Sequence, residues 1–222
     1  KYRCGRNLKN FNNFIGLPLS IFQFDDSLEV VVLEMGMSDF GEIDRLASIV
    51  KPHIGVITNI GVAHMESLGS REGIFQAKME IAKHIAGDDE LPGTLIYASD
   101  SEFLTKERTK GNYDQISVGE KGKDDYIISS VDDFGMDGIK FTLEHAQEVR
   151  QISLPLPGRH NAINSALAVA VGDLLGVSPE EETDGLAAAD LTGNRLKRRE
   201  NGSICVIDDT YNASPDSMKS AL

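Results

Sequence analysis

Apolar residues in this chain fall into short unbroken runs separated by stretches of helical spacing. Leu28–Leu33, Ile54–Ile57 and Thr94–Ala98 are, Glu29 apart, β-branched or apolar, the pattern of strands buried on both faces of a parallel sheet. Between them, Ile43, Leu46, Ala47 and Val50 share one helical face, and Ser70–Gly73 leads into a second amphipathic helix over Ile74–Ile85. A shorter apolar helix opens at Leu17-Pro18 and runs to Phe24. Alternation of strand and helix predicts an α/β fold with a mostly parallel central sheet flanked by helices.

From Asp114 the rhythm becomes alternating. Gln115–Val118, Tyr126–Val131, Ile139–Glu144 and Val149–Leu154 read as a small antiparallel extension. An Ala-rich helix over Ala162–Leu175 ends at Gly176, and Ser178-Pro179 with the following glutamates starts another. The basic stretch within Leu191–Arg199 is the candidate domain boundary. Beyond it lie a strand at Ile204–Ile207 and a helix beginning at Pro215.

Charge narrows the choice of partner. Thirty-five acidic against 22 basic residues give −13 over 222 residues, which argues against nucleic acid as the main partner. No apolar run approaches a membrane span, so no membrane partner is expected. Cys4 and Cys205 have no metal-ligand spacing and are expected as free thiols in the cytoplasm.

Candidate chemistry sits where strands end. Glu34 follows one buried run, His64 follows another, and Lys78 lies in the next helix. Open α/β sheets place ligands at the carboxyl ends of their strands. A carboxylate and an imidazole there can hold Mg²⁺, which keeps several waters and takes few protein ligands. The residues alone leave plainer roles open: Glu34 as a helix-start charge, His64 as a structural hydrogen-bonding group, Lys78 as a solvated helix lysine.

Taken together, Glu34-Met-Gly36, Asn59-Ile-Gly-Val-Ala-His64, Gly69–Gly73, Ala77-Lys78, Gly158-Arg-His-Asn161-Ala-Ile-Asn164 and Asp209–Ser217 occur in one order that resembles the Mur ligase family. The resemblance implies a P-loop NTPase-like central domain over residues 1–196 and the start of a Rossmann-like domain over 197–222. It implies ATP and two Mg²⁺ as cofactors. Glu34 and His64 match metal-binding positions, and Lys78 matches a lysine that the family carbamylates. Asn161 and Asn164 match adenine-contacting positions, although Asn161 also reads as a helix N-cap. Arg195 matches an arginine that reaches the ATP phosphates, and Asp209 a ribose-binding aspartate, with Tyr211 and Asn212 nearby. Lys197, Arg198 and Arg199 are expected as solvated charges.

The implied reaction is amide-bond formation through an acyl phosphate. Asp209–Met218 and Gly41-Glu-Ile43 favour the member that joins D-alanyl-D-alanine to UDP-N-acetylmuramoyl-tripeptide, in peptidoglycan precursor synthesis, acting as a cytoplasmic monomer. The alternatives are a sister amino-acid-adding ligase, folylpolyglutamate synthase, or a nucleotide-binding module without catalysis. One departure is large. No G-x-x-x-x-G-K-[ST] phosphate loop occurs in the sequence. The expectation is therefore an inactive fragment lacking the first strand and P-loop of its central domain. Phe14 and Asp39 also depart from the family pattern.

Overall fold

The three β-branched runs do form strands, but they do not all join one sheet. A computed structural model describes residues 1–8, 10–120, 122–190, 193, 195–213 and 218. β1 (Cys4–Arg6) pairs in parallel with β2 (Val30–Val32), Cys4 opposite Val30, with α1 (Gly16–Ile21) between them. A separate six-stranded sheet follows chain order. It contains β3 (Ile54–Ile57), β4 (Thr94–Ala98), β5 (Asp114–Gly119), β6 (Tyr126–Asp133), β7 (Ile139–His145) and β8 (Glu148–Leu154). Pairing is parallel from β3 to β6 and antiparallel from β6 to β8.

Helices fill the connections. α2 (Glu42–Val50) joins β2 to β3 and buries Ile43, Leu46 and Ala47, the face its spacing predicts. α3 (Met65–Leu68) and α4 (Arg71–Met79) join β3 to β4. Ser70 caps α4 by accepting a hydrogen bond from the Gly73 amide at 3.0 Å. The helix expected over Ile74–Ile85 tightens after Met79 into a 3₁₀ turn, Glu80–His84. α5 (His160–Leu174) and α6 (Pro179–Ala187) follow the sheet, and α6 begins with a reciprocal Ser178–Glu181 capping box. An antiparallel pair, β9 (Lys197–Asn201) and β10 (Ile204–Asp208), forms a further sheet. The helix expected from Pro215 lies outside the described residues, as does part of the expected boundary at Leu191–Arg199.

β4 shows why the sheet is central. Ile96 points into a core shared with α5 and β5 to β8, while Leu95 and Tyr97 point into a second core with Ile57, Ile74 and Phe75. Alternate side chains thus fill opposite faces, and all five β4 residues are buried. Ala162, Ala166 and Ala170 let α5 lie close against its face.

Two expectations need correction. The first of the four alternating strands is not antiparallel: β5 pairs in parallel with β4 along its length and with β6 over two residue pairs. Alternation reports one-sided burial, not strand direction. The short return from β5 to β6 is held by Asp125, whose Oδ2 accepts from both the amide and the hydroxyl of Ser117 at 2.9 Å. Second, the runs at β2 and β3 are not fully buried. Val31 is 42% exposed, Val32 61% and Val56 38%. Both strands end their sheets, so their apolar side chains line a cavity of about 1020 Å³ between β2 and β3.

Cys4 and Cys205 are free and exposed. Among the described residues no helix is long and apolar enough to cross a membrane.

Candidate functional site

Glu34 emerges directly after β2 and is held by the Asn-rich segment before α1. Its amide donates to Asn7 Oδ1 at 2.7 Å, and its carbonyl accepts from Asn7 Nδ2 at 3.1 Å. Asn12 Nδ2 donates to Glu34 Oε1 at 2.9 Å. Gly36 gives the loop room: a Cβ there would stand 2.8 Å from Asn12 Cγ, while its amide bonds the Asn12 carbonyl at 2.8 Å. Asn7 and Asn12 were not singled out from sequence. The signal available was the Asn-rich run itself.

Lys78 approaches the same cavity from α4. Its Nζ donates to the Asn59 carbonyl at 2.6 Å, in the loop after β3. Desolvation by the packing around α4 holds this ammonium below the ordinary lysine value. The loop it touches is fixed from the other side by Arg71, which donates to the Ile60 carbonyl at 3.0 Å. Glu34, Thr58 and Lys78 therefore line one cavity with the apolar edges of β2 and β3.

His64 stands apart from that lining. It occupies the N-cap of α3 in a left-handed conformation, φ 67°, and is exposed. Among the described residues, no three His, Cys, Asp or Glu side chains gather as a metal cluster. Of the two polar groups that line the cavity, the Glu34 carboxylate is an oxygen donor of the kind Mg²⁺ takes, whereas the Lys78 amine is not a magnesium ligand unless it is first converted to a carboxylate-like group.

The second group of residues sits at the start of α5. Asn161 is buried and donates from Nδ2 to the Pro157 carbonyl at 2.7 Å, and Asn164 Nδ2 reaches Asn161 Oδ1 at 3.3 Å. The expected Asn161 cap is not observed. Arg159 holds the N-cap position with no side-chain cap, because the helix begins one residue before Asn161. Arg159 pairs instead with Glu120 through two bonds of 3.1 and 3.0 Å, and burial pushes the His160 imidazolium down.

Near the last hairpin, the Arg195 guanidinium lies 3.8 Å from the centre of the Tyr211 ring. The Leu196 amide donates to Asp209 Oδ1 at 3.2 Å, so Arg195, Asp209 and Tyr211 come together. Asn212 is exposed and accepts from the Ala213 amide at 2.8 Å. Arg195 and Pro157 line one cavity of about 320 Å³, which links this group to Asn161. Arg198 and Arg199 are exposed and pair with Glu200 and Asp208, and Lys197 and Arg198 both line that smaller cavity.

Comparison with known proteins gives one consistent picture. The family description "Mur ligase middle domain" matches residues 1–172. A UDP-N-acetylmuramoyl-tripeptide–D-alanyl-D-alanine ligase from Bacillus subtilis is 39% identical over 226 aligned residues, covering 100% of this chain and 47% of its own length. A crystal structure of MurF from Acinetobacter baumannii superposes with a TM-score of 0.90 at 33% identity, over 99% of this chain and 47% of that one. MurF from Thermotoga maritima in complex with ADP gives 0.82 at 29% identity, over 100% and 50%. The chain thus spans about half the length of the relatives it matches. Because the family match runs from the first strand through most of α5, this protein belongs to the Mur ligase family.

Proposed function

We propose that the chain is the nucleotide-handling middle of an ATP-dependent amide ligase that joins D-alanyl-D-alanine to UDP-N-acetylmuramoyl-tripeptide. The observation that carries this reading is that Glu34 and Lys78, from the segments after β2 and β3, line one cavity. Identity to the Bacillus subtilis ligase along the whole chain supports the choice of substrates. The activity belongs to the longer protein, placed in the cytoplasm as a monomer, with residues 1–196 as its central domain and 197–222 opening the next.

Magnesium, when bound, neutralises charge on a phosphoryl group in transfer. Glu34 offers a carboxylate already aimed by Asn12 and Asn7. Lys78, desolvated, loses its proton more readily than an exposed lysine. Its neutral Nζ can add CO₂, releasing one proton and leaving a carbamate as a second anionic donor. His64 is proposed as a further ligand, from the turn before α3. Asn161 and Asn164 present amides suited to an adenine edge, and Arg195 a cation suited to phosphates. Asp209, with Tyr211 and Asn212, is assigned to the ribose hydroxyls.

The open edges of β2 and β3 add to this reading. One parallel strand from another segment of the longer protein would pair both edges. Such a strand would bring the phosphate loop that this sequence lacks, and the 222-residue chain alone is then inactive. The test is phosphate release by the full-length protein with MgATP and UDP-N-acetylmuramoyl-tripeptide. Turnover should require D-alanyl-D-alanine. Equal turnover with single amino acids would overturn the assignment.

A further inference from the structure

Glu80 is buried, with 7% of its surface exposed, and its carboxylate faces backbone amides. Its Oε1 accepts from the Gly41 amide at 2.8 Å and its Oε2 from the Asp44 amide at 3.1 Å. Both donors belong to the first turn of α2. That helix has no cap of its own, since Gly41 at the N-cap position has no side chain and adopts φ 82°. A carboxylate from a distant element therefore satisfies amides that an α-helix leaves unpaired, where the helix dipole favours negative charge.

The placement has a second side. Glu80 follows Lys78 by two residues, where α4 passes into the 3₁₀ turn. α2 begins at the end of the loop that starts with Glu34, and the far end of that loop is held by Asn7 and Asn12. Midway, Glu42 Oε2 accepts from the Asp39 amide at 3.3 Å, so the loop is tied to the same helix start.

Building on the proposed ligase reading, we infer that Glu80 is a positioning residue that fixes the Glu34 loop against the helix carrying Lys78. The helix that bears one metal-site residue thereby caps the helix whose entry loop bears the other. A purely structural residue at this contact is available for comparison. The Asp44 carboxylate joins the same two elements through Lys83 at 3.2 Å and His84 at 3.1 Å, and only the backbone amide of that residue takes part in the cap.

The test uses the full-length protein, with Mn²⁺ as probe and its binding followed by electron paramagnetic resonance. Glu80→Gln keeps the side-chain size but turns an NH₂ group toward a backbone donor. It should weaken Mn²⁺ about tenfold, the usual scale for a group that orients metal ligands, and raise the Mg²⁺ requirement of turnover alike. Asp44→Asn should lower the melting temperature but leave Mn²⁺ affinity within about twofold of the parent. Unchanged Mn²⁺ affinity in Glu80→Gln, or an equal loss in Asp44→Asn, overturns the inference. If Glu80→Gln does not fold, Glu80→Asp, which keeps the charge but withdraws the oxygens, is read by the same criteria. Failure of both to fold makes Glu80 structural only and overturns the inference too. Glu34→Gln separates the two claims: unaffected Mn²⁺ binding there removes the metal-site reading itself.

Discussion

Lys78 Nζ and the Asn59 carbonyl lie 2.6 Å apart, which ties α4 to the loop after β3 beside the cavity that Glu34 enters. Desolvation lowers the Lys78 pKa, so its charged form costs folding free energy. That cost is complete below the folded-state value and disappears as pH rises past the unfolded value. Full-length protein in ¹³C-bicarbonate should therefore show a carbamate resonance that grows with pH toward the alkaline side. Lys78→Arg, always protonated, should abolish the resonance and the ligase activity. A resonance surviving in Lys78→Arg would assign it elsewhere.

Arg150 offers a second titration. Its Nη1 donates to Asp173 at 2.9 Å and to Glu182 at 2.9 Å, and Tyr126 donates to Asp173 at 2.8 Å. Burial, then the neighbouring Asp173 charge, raise Glu182 to about 7. A raised acid pKa means the folded state holds the proton more tightly. Stability from this group is therefore greatest below pH 4.5 and is lost as pH climbs to about 7. Glu182→Gln should raise unfolding free energy at pH 8 by about 1 kcal/mol, well under the full linkage value because the variant also gives up the ion pair with Arg150. It should also flatten the dependence between those pH values in urea titrations. A parallel pH profile in the variant would refute the assignment.

Gly73 packs against the corner between α3 and α4. A Cβ there would stand 2.1 Å from the Leu68 carbonyl oxygen and 3.3 Å from Phe40. Gly73→Ala must move α4, so a loss of about 1–3 kcal/mol is expected in denaturant unfolding. The same displacement shifts Lys78, and turnover of the full-length variant should fall at a temperature where it remains folded.

Sheet edges supply a fourth expectation. In the 222-residue chain the amides of β2 and β3 that face the cavity should exchange hydrogen rapidly. In the full-length protein a neighbouring strand should slow them by orders of magnitude. Equal rates in both proteins would count against a strand in that place.

How far the sequence could be read follows the range of each interaction. β4 and the buried face of α2 were legible because hydrophobic period is local. The exposure of Val32 was not, since identical β-branched runs occur at the centre and at the edge of a sheet. Nor was the parallel pairing of β5, which depends on the course of residues 99–113. At the site, motif order singled out Glu34 and Lys78, which share a cavity. Glu80 escaped notice because its donors lie 39 and 36 positions away, and no local pattern marks a cap supplied from that distance.

Only two residue pairs join β5 to β6, and this narrow seam bears on how the molecule assembles. β6, β7 and β8 meet their neighbours through short hairpins, so they can pair early and without long loop closure. β3, β4 and β5 must wait for their crossovers. α5 packs on both sides of the seam and comes later in the chain than either half. Docking of α5 should therefore join the two sheet segments into one cooperative unit, and weakening its packing should let them exchange hydrogen independently.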